Sequence, residues 1–253
     1  MRAAYDTYNY PKYWNKRKYE HESEIVALNT FLKITGPRKH IIDIGCGFGR
    51  LADFYAAFTD KITLCEPSKK LLNRAKEHYK SDKTITYINS TIEALPGKTS
   101  AKYDTAVMVR VLHHIEDPGV AFKTVNKLLT KDGFFILEFA NKMHGKALVK
   151  NILQGNFTFP LEIFSIDRRS RKNQNQDCIA FLNHHPDYIY KILQDCGFEI
   201  IEKLSVSNFR FGVVKNLLPL KVLTKLEKMA QKRLSRFNFG PSIFVLAKKA
   251  HNT

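Results

Sequence analysis

The run His40-Ile41-Ile42-Asp43-Ile44-Gly45-Cys46-Gly47-Phe48-Gly49-Arg50 constrains the fold of this 253-residue chain more than any other stretch. An apolar, β-branched segment enters a turn with glycine at 45, 47 and 49, and an amphipathic segment, Leu51 to Phe58, leaves it. Such a pattern predicts a buried strand feeding a helix through a backbone stripped of side chains, so that a ligand can approach closely. A second apolar strand, Ile62 to Cys65, ends at Glu66, nineteen residues after Gly47. An acid there can accept hydrogen bonds from both hydroxyls of a ribose. Glycine turn and acid together imply a nucleoside-containing ligand.

Beyond this unit the chain keeps alternating. Strands are expected at 40–45, 61–66, 85–88, 103–109 and 134–139, with helices at 50–58, from Pro67-Ser68 to about Tyr79, and from Asp117-Pro118 through Leu129. Asp117-Pro118 has the chemistry of an N-cap followed by the first helical residue, and Asp132-Gly133 is read as the stop. Alternation of this kind argues for a parallel sheet with helices on both faces. It lapses over 142–183, where a short helical pattern, Lys146 to Leu153, precedes a polar loop with Arg168, Arg169, Arg171 and Lys172. A helix from His185-Pro186 to Cys196, stopped by Gly197, leads to a strand at 198–206. A second interruption, 211–240, is helical but broken at Pro219. A last strand spans 242–247.

The glycine spacing discriminates between nucleoside ligands. A dinucleotide fingerprint is G-x-G-x-x-G, yet here the third glycine comes one residue early and Arg50 stands where the last should be. Asp43 followed by Gly45-Cys46-Gly47-Phe48-Gly49 resembles motif I of the class I S-adenosylmethionine-dependent methyltransferases. The stretch from Asp104 to Pro118 resembles the group that includes the quinone-biosynthesis methyltransferases. Clear motifs cover about 38–141, and 184–249 matches more loosely. The resemblance implies an α/β, Rossmann-like fold. Its seven-stranded sheet has order 3-2-1-4-5-7-6, strand 7 antiparallel, with flanking helices and insertions after strands 5 and 6. It also implies a single methyltransferase domain over 1–253. Within it, 1–38 is an N-terminal lid, 38–141 the cofactor-binding half, and 142–183 and 211–240 acceptor-side insertions.

On the family's pattern the cofactor is S-adenosyl-L-methionine and the product S-adenosyl-L-homocysteine. The Gly45-Cys46-Gly47 backbone would approach the methionine portion, Asp43 would orient its amino group and Glu66 would bind the ribose. Thr91 stands where many relatives have an Asp facing the adenine, and the Ile92 N–H could reach a ring nitrogen. Turn chemistry accounts for Ser90 and Thr91 equally well. The carbonyls of Val109 and Arg110 would lie near the cofactor's amino group. His113 and His114 then fall beside the methyl-transfer locus as candidate catalytic bases. The alternative has His114 in a local structural hydrogen bond and His113 at the surface. His184 and His185 share this ambiguity. The N-terminal aromatics Tyr5, Tyr8, Tyr10, Tyr13, Trp14 and Tyr19 could roof the cofactor or simply dock on the core. Tyr10, Trp14 and Arg17 are candidate acceptor contacts.

Composition bounds the rest. Four cysteines, at 46, 65, 178 and 196, have neither metal-ligand nor disulfide-framework spacing, which predicts reduced thiols in a cytoplasmic protein and no metal. No run of eighteen apolar residues or signal-peptide pattern occurs. Net charge is +17, and Lys203 to Arg236 holds nine Lys or Arg against one acid, Glu227. Such a balance favours anionic partners, unless it is only a solvated lysine-rich surface. Amphipathic 215–236 suits peripheral contact with an anionic membrane. Methyl transfer requires no obligatory side chain, so oxygen, nitrogen and carbon nucleophiles on a small-molecule or lipid-like acceptor all fit. The competing expectations are an RNA- or ribosome-directed methyltransferase and a cofactor-binding protein without transfer activity. Nothing resembling an RNA-binding appendage is present.

Overall fold

A computed structural model describes residues 10–170 and 180–250. Its main sheet is built from β1 (Arg38–Ile44), β2 (Thr59–Cys65), β3 (Ile85–Ile88), β4 (Tyr103–Met108), β5 (Leu129–Ala140), β8 (Phe198–Val206) and β9 (Ser242–Lys249). A separate hairpin pairs β6 (Ile166–Asp167) with β7 (Leu182–Asn183). The seven strands lie in the order β3-β2-β1-β4-β5-β9-β8. The first five run parallel, and β9 is antiparallel to both of its neighbours. Since β8 and β9 are the sixth and seventh sheet strands along the chain, this is the expected order.

Alternate residues of each central strand enter opposite cores because strand side chains alternate in direction. Ile42, Ile44 and Met108 pack with Phe122, Phe135 and Leu193 on one face. Ile41, Val107 and Ile136 pack with Leu28, Phe31 and Phe244 on the other. The helices that supply these partners are α2 (Lys18–Thr35), α5 (Pro118–Leu128) and α7 (Pro186–Asp195). Their starts follow the sequence signals. Asp117 Oδ1 accepts from the Gly119 and Val120 N–H groups (2.8 and 3.3 Å), and His185 Nδ1 accepts from Asp187 N–H (3.2 Å). The remaining helices are α1 (Tyr10–Trp14), α3 (Ala52–Tyr55), α4 (Lys69–His78), α6 (Gly145–Leu153), α8 (Gly212–Leu217) and α9 (Leu220–Leu234). Pro219 separates α8 from α9, as its missing N–H requires.

Two expectations are corrected. The helix placed at 50–58 is a single turn, α3, with turn residues on both sides of it before β2 begins at Thr59. Asp132-Gly133 does not stop a helix: α5 ends at Leu128 and β5 starts at once, with 132–133 inside an irregularity of its pairing with β4. There a Cβ on Gly133 would lie 2.9 Å from Leu129 Cβ, so this irregularity has no space for a larger residue at 133. Tyr5, Tyr8, the side chain of Tyr10, Arg171, Lys172 and Cys178 lie outside the described residues.

Candidate functional site

The C-terminal ends of β1, β2, β4 and β5 converge on one edge of the sheet, where open α/β folds bind ligands. The turn after β1 is held by backbone: Gly45 and Cys46 N–H both donate to the Cys65 carbonyl (2.8 and 3.1 Å). Gly45, Gly47 and Gly49 have φ of 73°, 59° and 80°, in the left-handed region that glycine enters without strain. A Cβ on Gly45 would lie 2.3 Å from Val111 Cγ2, so the turn sits directly against the segment that follows β4.

Glu66, 4% exposed, closes the turn from the end of β2. Its Oε2 accepts from Gly47 N–H and its Oε1 from Ser68 N–H, both at 2.9 Å. An ionised carboxylate offers about four acceptor positions, so these bonds leave room for hydroxyl donors as well. Asn89 Nδ2 donates to the Glu66 and Pro67 carbonyls (2.8 and 2.9 Å) and fixes this strand end to that of β3. Asp43 is buried beneath the turn. Burial pushes its pKa up to about 7, against the pull of Arg50 and the Tyr55 hydroxyl, with Glu66 adding repulsion. Cys46 is buried and packs, its thiol raised well above the ordinary value chiefly by burial.

After β4, Arg110 takes φ 60° and its N–H donates to Glu138 Oε2 (2.7 Å). Its guanidinium reaches the other way, with Nε donating to Glu24 Oε1 at 2.5 Å, while Arg50 Nη2 donates to Glu24 Oε2 at 2.6 Å. Glu24, on α2, is 1% exposed. Burial alone would raise its pKa, but the charges of Arg110 and Arg50 outweigh that and hold it below the usual range. Both guanidinium groups also face the Trp14 ring, at 3.6 Å for Arg50 and 4.9 Å for Arg110. The N-terminal segment is therefore clamped to the loops after β1 and β4 through one buried carboxylate. Glu24 was not foreseen: a Glu in a charged stretch carries no signal until its two distant arginines are known.

The structure brings Asp43, Gly45, Cys46, Gly47, Glu66, Val109 and Arg110 to this edge. Ile92 is buried in the core and Thr91 is exposed beside it. Trp14 is 8% exposed, and Arg17 stacks on Tyr13 at 4.0 Å. His114 Nδ1 lies 2.8 Å from the Ala180 carbonyl, a structural contact. His113 is not at the surface; it is 6% exposed, with ring centroids 3.9 Å from His114 and 4.4 Å from Phe181. Burial, then the fields of His114, Arg110 and His184, hold its pKa well below the ordinary value, so it is neutral. His184 Nε2 faces the Leu112 carbonyl (3.4 Å), and His185 is the α7 cap.

Arg110 and His113 form one wall of a cavity of about 980 Å³ that extends over β5 and β9. Residues between Lys142 and Arg168, with Phe181, line one side, and the segment after β8 from Ser207 to Gly212, with Phe239, lines the other. The helix α9 lies elsewhere, packed on α2 and β8. Among the described residues, no group of His, Cys, Asp and Glu has the arrangement of a metal site, and no helix is long and apolar enough to cross a membrane.

The sheet order and the placement of the glycine turn beside Glu66 are those expected from the resemblance to the class I methyltransferases. Residues 42–137 match the family model described as a methyltransferase domain. Over 125 residues the chain is 30% identical to the ubiquinone biosynthesis O-methyltransferase of Nitrosomonas europaea, covering 48% of this chain and 53% of that protein. The chain thus spans about half the length of the curated relatives it matches. The crystal structure of the N-methyltransferase NodS from Bradyrhizobium japonicum WM9, in complex with S-adenosyl-L-homocysteine, aligns with a TM-score of 0.61 at 13% identity. That alignment covers 97% of this chain and 95% of NodS. The [4+2]-cyclase SpnF aligns with a TM-score of 0.60 at 12% identity, covering 91% and 82%.

Proposed function

We propose that this protein transfers a methyl group from S-adenosylmethionine to a small-molecule or lipid-like acceptor held in the cavity beside Arg110. The observation that carries this reading is a shared wall. Val111 presses on the glycine turn, while Arg110 and His113 on either side of it line the cavity. A donor cradled by the turn would therefore face the cavity across a single short segment.

In this reading Glu66 binds the ribose, the Gly45-Cys46-Gly47 backbone takes the methionine portion and Asp43 orients its amino group. Val109 and Arg110 offer backbone carbonyls to the same group, and Thr91 and the Ile92 N–H flank the adenine. The fit is supported by the side-chain-free turn and by the spare acceptor capacity of Glu66. When bound, the cofactor supplies a methyl group already activated on a sulfonium. The protein's task is to hold the acceptor in line, at about 3 Å, and to exclude water. His113, on the cavity wall, is placed to take the acceptor's proton, against the burial that disfavours its imidazolium. Tyr10, Trp14 and Arg17 belong to the lid, with Trp14 held in place by the two arginines.

A lipid-like acceptor is supported by the exposed Leu153, Phe157, Leu161 and Phe164, which interleave with the lining residues Gln154, Asn156, Phe159 and Glu162. Exposed Leu217, Val222 and Met229 among the lysines of 215–236 suit contact with an anionic membrane. The same reading makes the protein cytoplasmic, supported by the free thiols of Cys46, Cys65 and Cys196.

Calorimetry with S-adenosylmethionine on the wild type and on Glu66→Gln tests the cofactor. Binding is expected to weaken at least about tenfold in the variant, as for loss of a charged hydrogen-bond acceptor; equal binding would overturn the assignment. Because SpnF shows a cyclase on this fold, an acceptor screen must follow release of S-adenosylhomocysteine rather than substrate loss. Tight binding to bulk RNA at low salt, lost steeply as salt rises, would favour an RNA acceptor instead.

A further inference from the structure

We propose that the cavity holds its acceptor by an anionic group, a carboxylate or phosphate, gripped by Lys146, Lys150 and Arg168, with an apolar body lying against phenylalanine rings. This rests on the methyltransferase reading only in taking the cavity for the acceptor's place.

The cations lining the cavity are Arg110, Lys142, Lys146, Lys150, Arg168 and Arg210. Three of them are already engaged. Arg110 is paired with Glu24 at 2.5 Å, and Arg210 lies 3.4 Å from Glu20. Lys142, 3% exposed, donates to the Glu162 and Phe164 carbonyls and lies 3.5 Å from the Glu162 carboxylate. The acids are engaged too: Glu138 accepts from the Arg110 N–H and the Ser242 hydroxyl, and Glu162 faces Lys142. That leaves Lys146, Lys150 and Arg168 with no carboxylate partner among the described residues.

These three line one cavity although they come from different elements, and all three are solvent-exposed. Lys146 and Lys150 stand one helical turn apart on α6, on the face that also turns Ala147, Asn151 and Gln154 to the cavity. Arg168 follows β6. His144, the α6 cap, lies within the field of two of them, Lys146 and Arg168. Burial first, then Arg168, Lys146 and Arg210, push its imidazole below the ordinary range. Like charges at this spacing repel one another, and an anion between them relieves the repulsion. Phe159, Phe181, Phe211 and Phe239 line the same space and offer rings to an apolar body.

A matched pair of fluorescent probes isolates the charge: anilinonaphthalene sulfonate, and phenylnaphthylamine, which has the same rings without the sulfonate. The wild type is expected to bind the sulfonate at least about tenfold more tightly, with pyrophosphate displacing it. Combined Lys146→Gln, Lys150→Gln and Arg168→Gln should abolish the preference and leave phenylnaphthylamine binding unchanged. Lys150→Arg should retain the preference, and so should Lys98→Gln, a surface control. Equal binding of the two probes by the wild type, or an undiminished preference in the triple variant, would overturn the proposal. Calorimetry with S-adenosylmethionine on the same preparations separates the two readings. A charge-selective cavity in a protein that fails to bind the cofactor sinks the methyltransferase reading alone, whereas cofactor binding with an indifferent cavity sinks only this one.

Discussion

Glu24 and Asp43 are both buried carboxylates within the same site, and physics gives them opposite signs. Glu24 sits between two guanidinium groups with its pKa held below the ordinary 4.5. Its stabilisation is therefore present at neutral pH and is lost as pH falls through that depressed value. Replacing it with Gln leaves Arg50 and Arg110, both partly buried, without their counter-charge. We expect Glu24→Gln to lower unfolding free energy by about 3–5 kcal/mol at pH 7, read by urea denaturation; a loss below about 1 kcal/mol would mean that the clamp is a surface pair in effect. Asp43 runs the other way. Its pKa rises from 3.8 to about 7, so the folded state holds a proton that the unfolded chain has released. Stability should fall as pH climbs from about 4 to 7, by about 1.4 kcal/mol for each pH step of one within that window. Asp43→Asn should flatten that dependence, making the variant more stable than the wild type at pH 8 and equal to it near pH 4. Denaturation at the two pH values reads the difference, and a gap that does not widen with pH would refute it. In the proposed function this destabilising carboxylate is kept in order to orient a ligand's amino group.

At the scale of elements, Glu227 does for α9 what Glu24 does for the N-terminal clamp. It is the single acid between Lys203 and Arg236 and it is fully buried. It accepts from the Tyr19 hydroxyl (2.6 Å), Ser207 N–H (2.8 Å) and Asn208 N–H (3.1 Å), tying α9 to α2 and to the loop after β8. Glu227→Ala should free that loop and both helices. Hydrogen exchange over 18–35 and 205–212 is expected to quicken, with about 3 kcal/mol or more lost in stability. Unchanged exchange there would show that apolar packing alone docks α9. This role also marks where sequence reading ends. The strands, the helix caps and the Asp43, glycine and Glu66 constellation were legible because each rests on local periodicity or fixed spacing, whereas the strand order came only with the family resemblance. The single-turn α3 and the early start of β5 were not, since the local patterns there read as helix and helix stop. Glu24 and Glu227 were invisible for a different reason: their partners lie up to 208 residues away in the chain. His113 reads more readily as a surface residue than as a cavity one, and its packing on Phe181 corrects that.

For the whole molecule, a net charge of +17 acts on stability as well as on partners. Self-repulsion among surface cations opposes compaction, and salt screens it over a Debye length of about 10 Å at 0.1 M. Sodium chloride should therefore raise the melting temperature from its low-salt value. A uniform surface predicts that only ionic strength matters. Cations gathered around a cavity predict more, because an anion seated there stabilises the folded state by mass action as well as by screening. The unfolded chain carries the same lysines but does not hold Lys146, Lys150 and Arg168 together. At matched ionic strength, pyrophosphate should then raise the melting temperature beyond sodium chloride by several degrees. A stabilisation of about 1–2 kcal/mol corresponds to roughly 2–8 °C in a protein of this size. The triple Gln variant should keep the chloride response and lose the excess. Superimposable melting curves in the two salts would assign the charge to a solvated surface, with nothing gathered at the cavity.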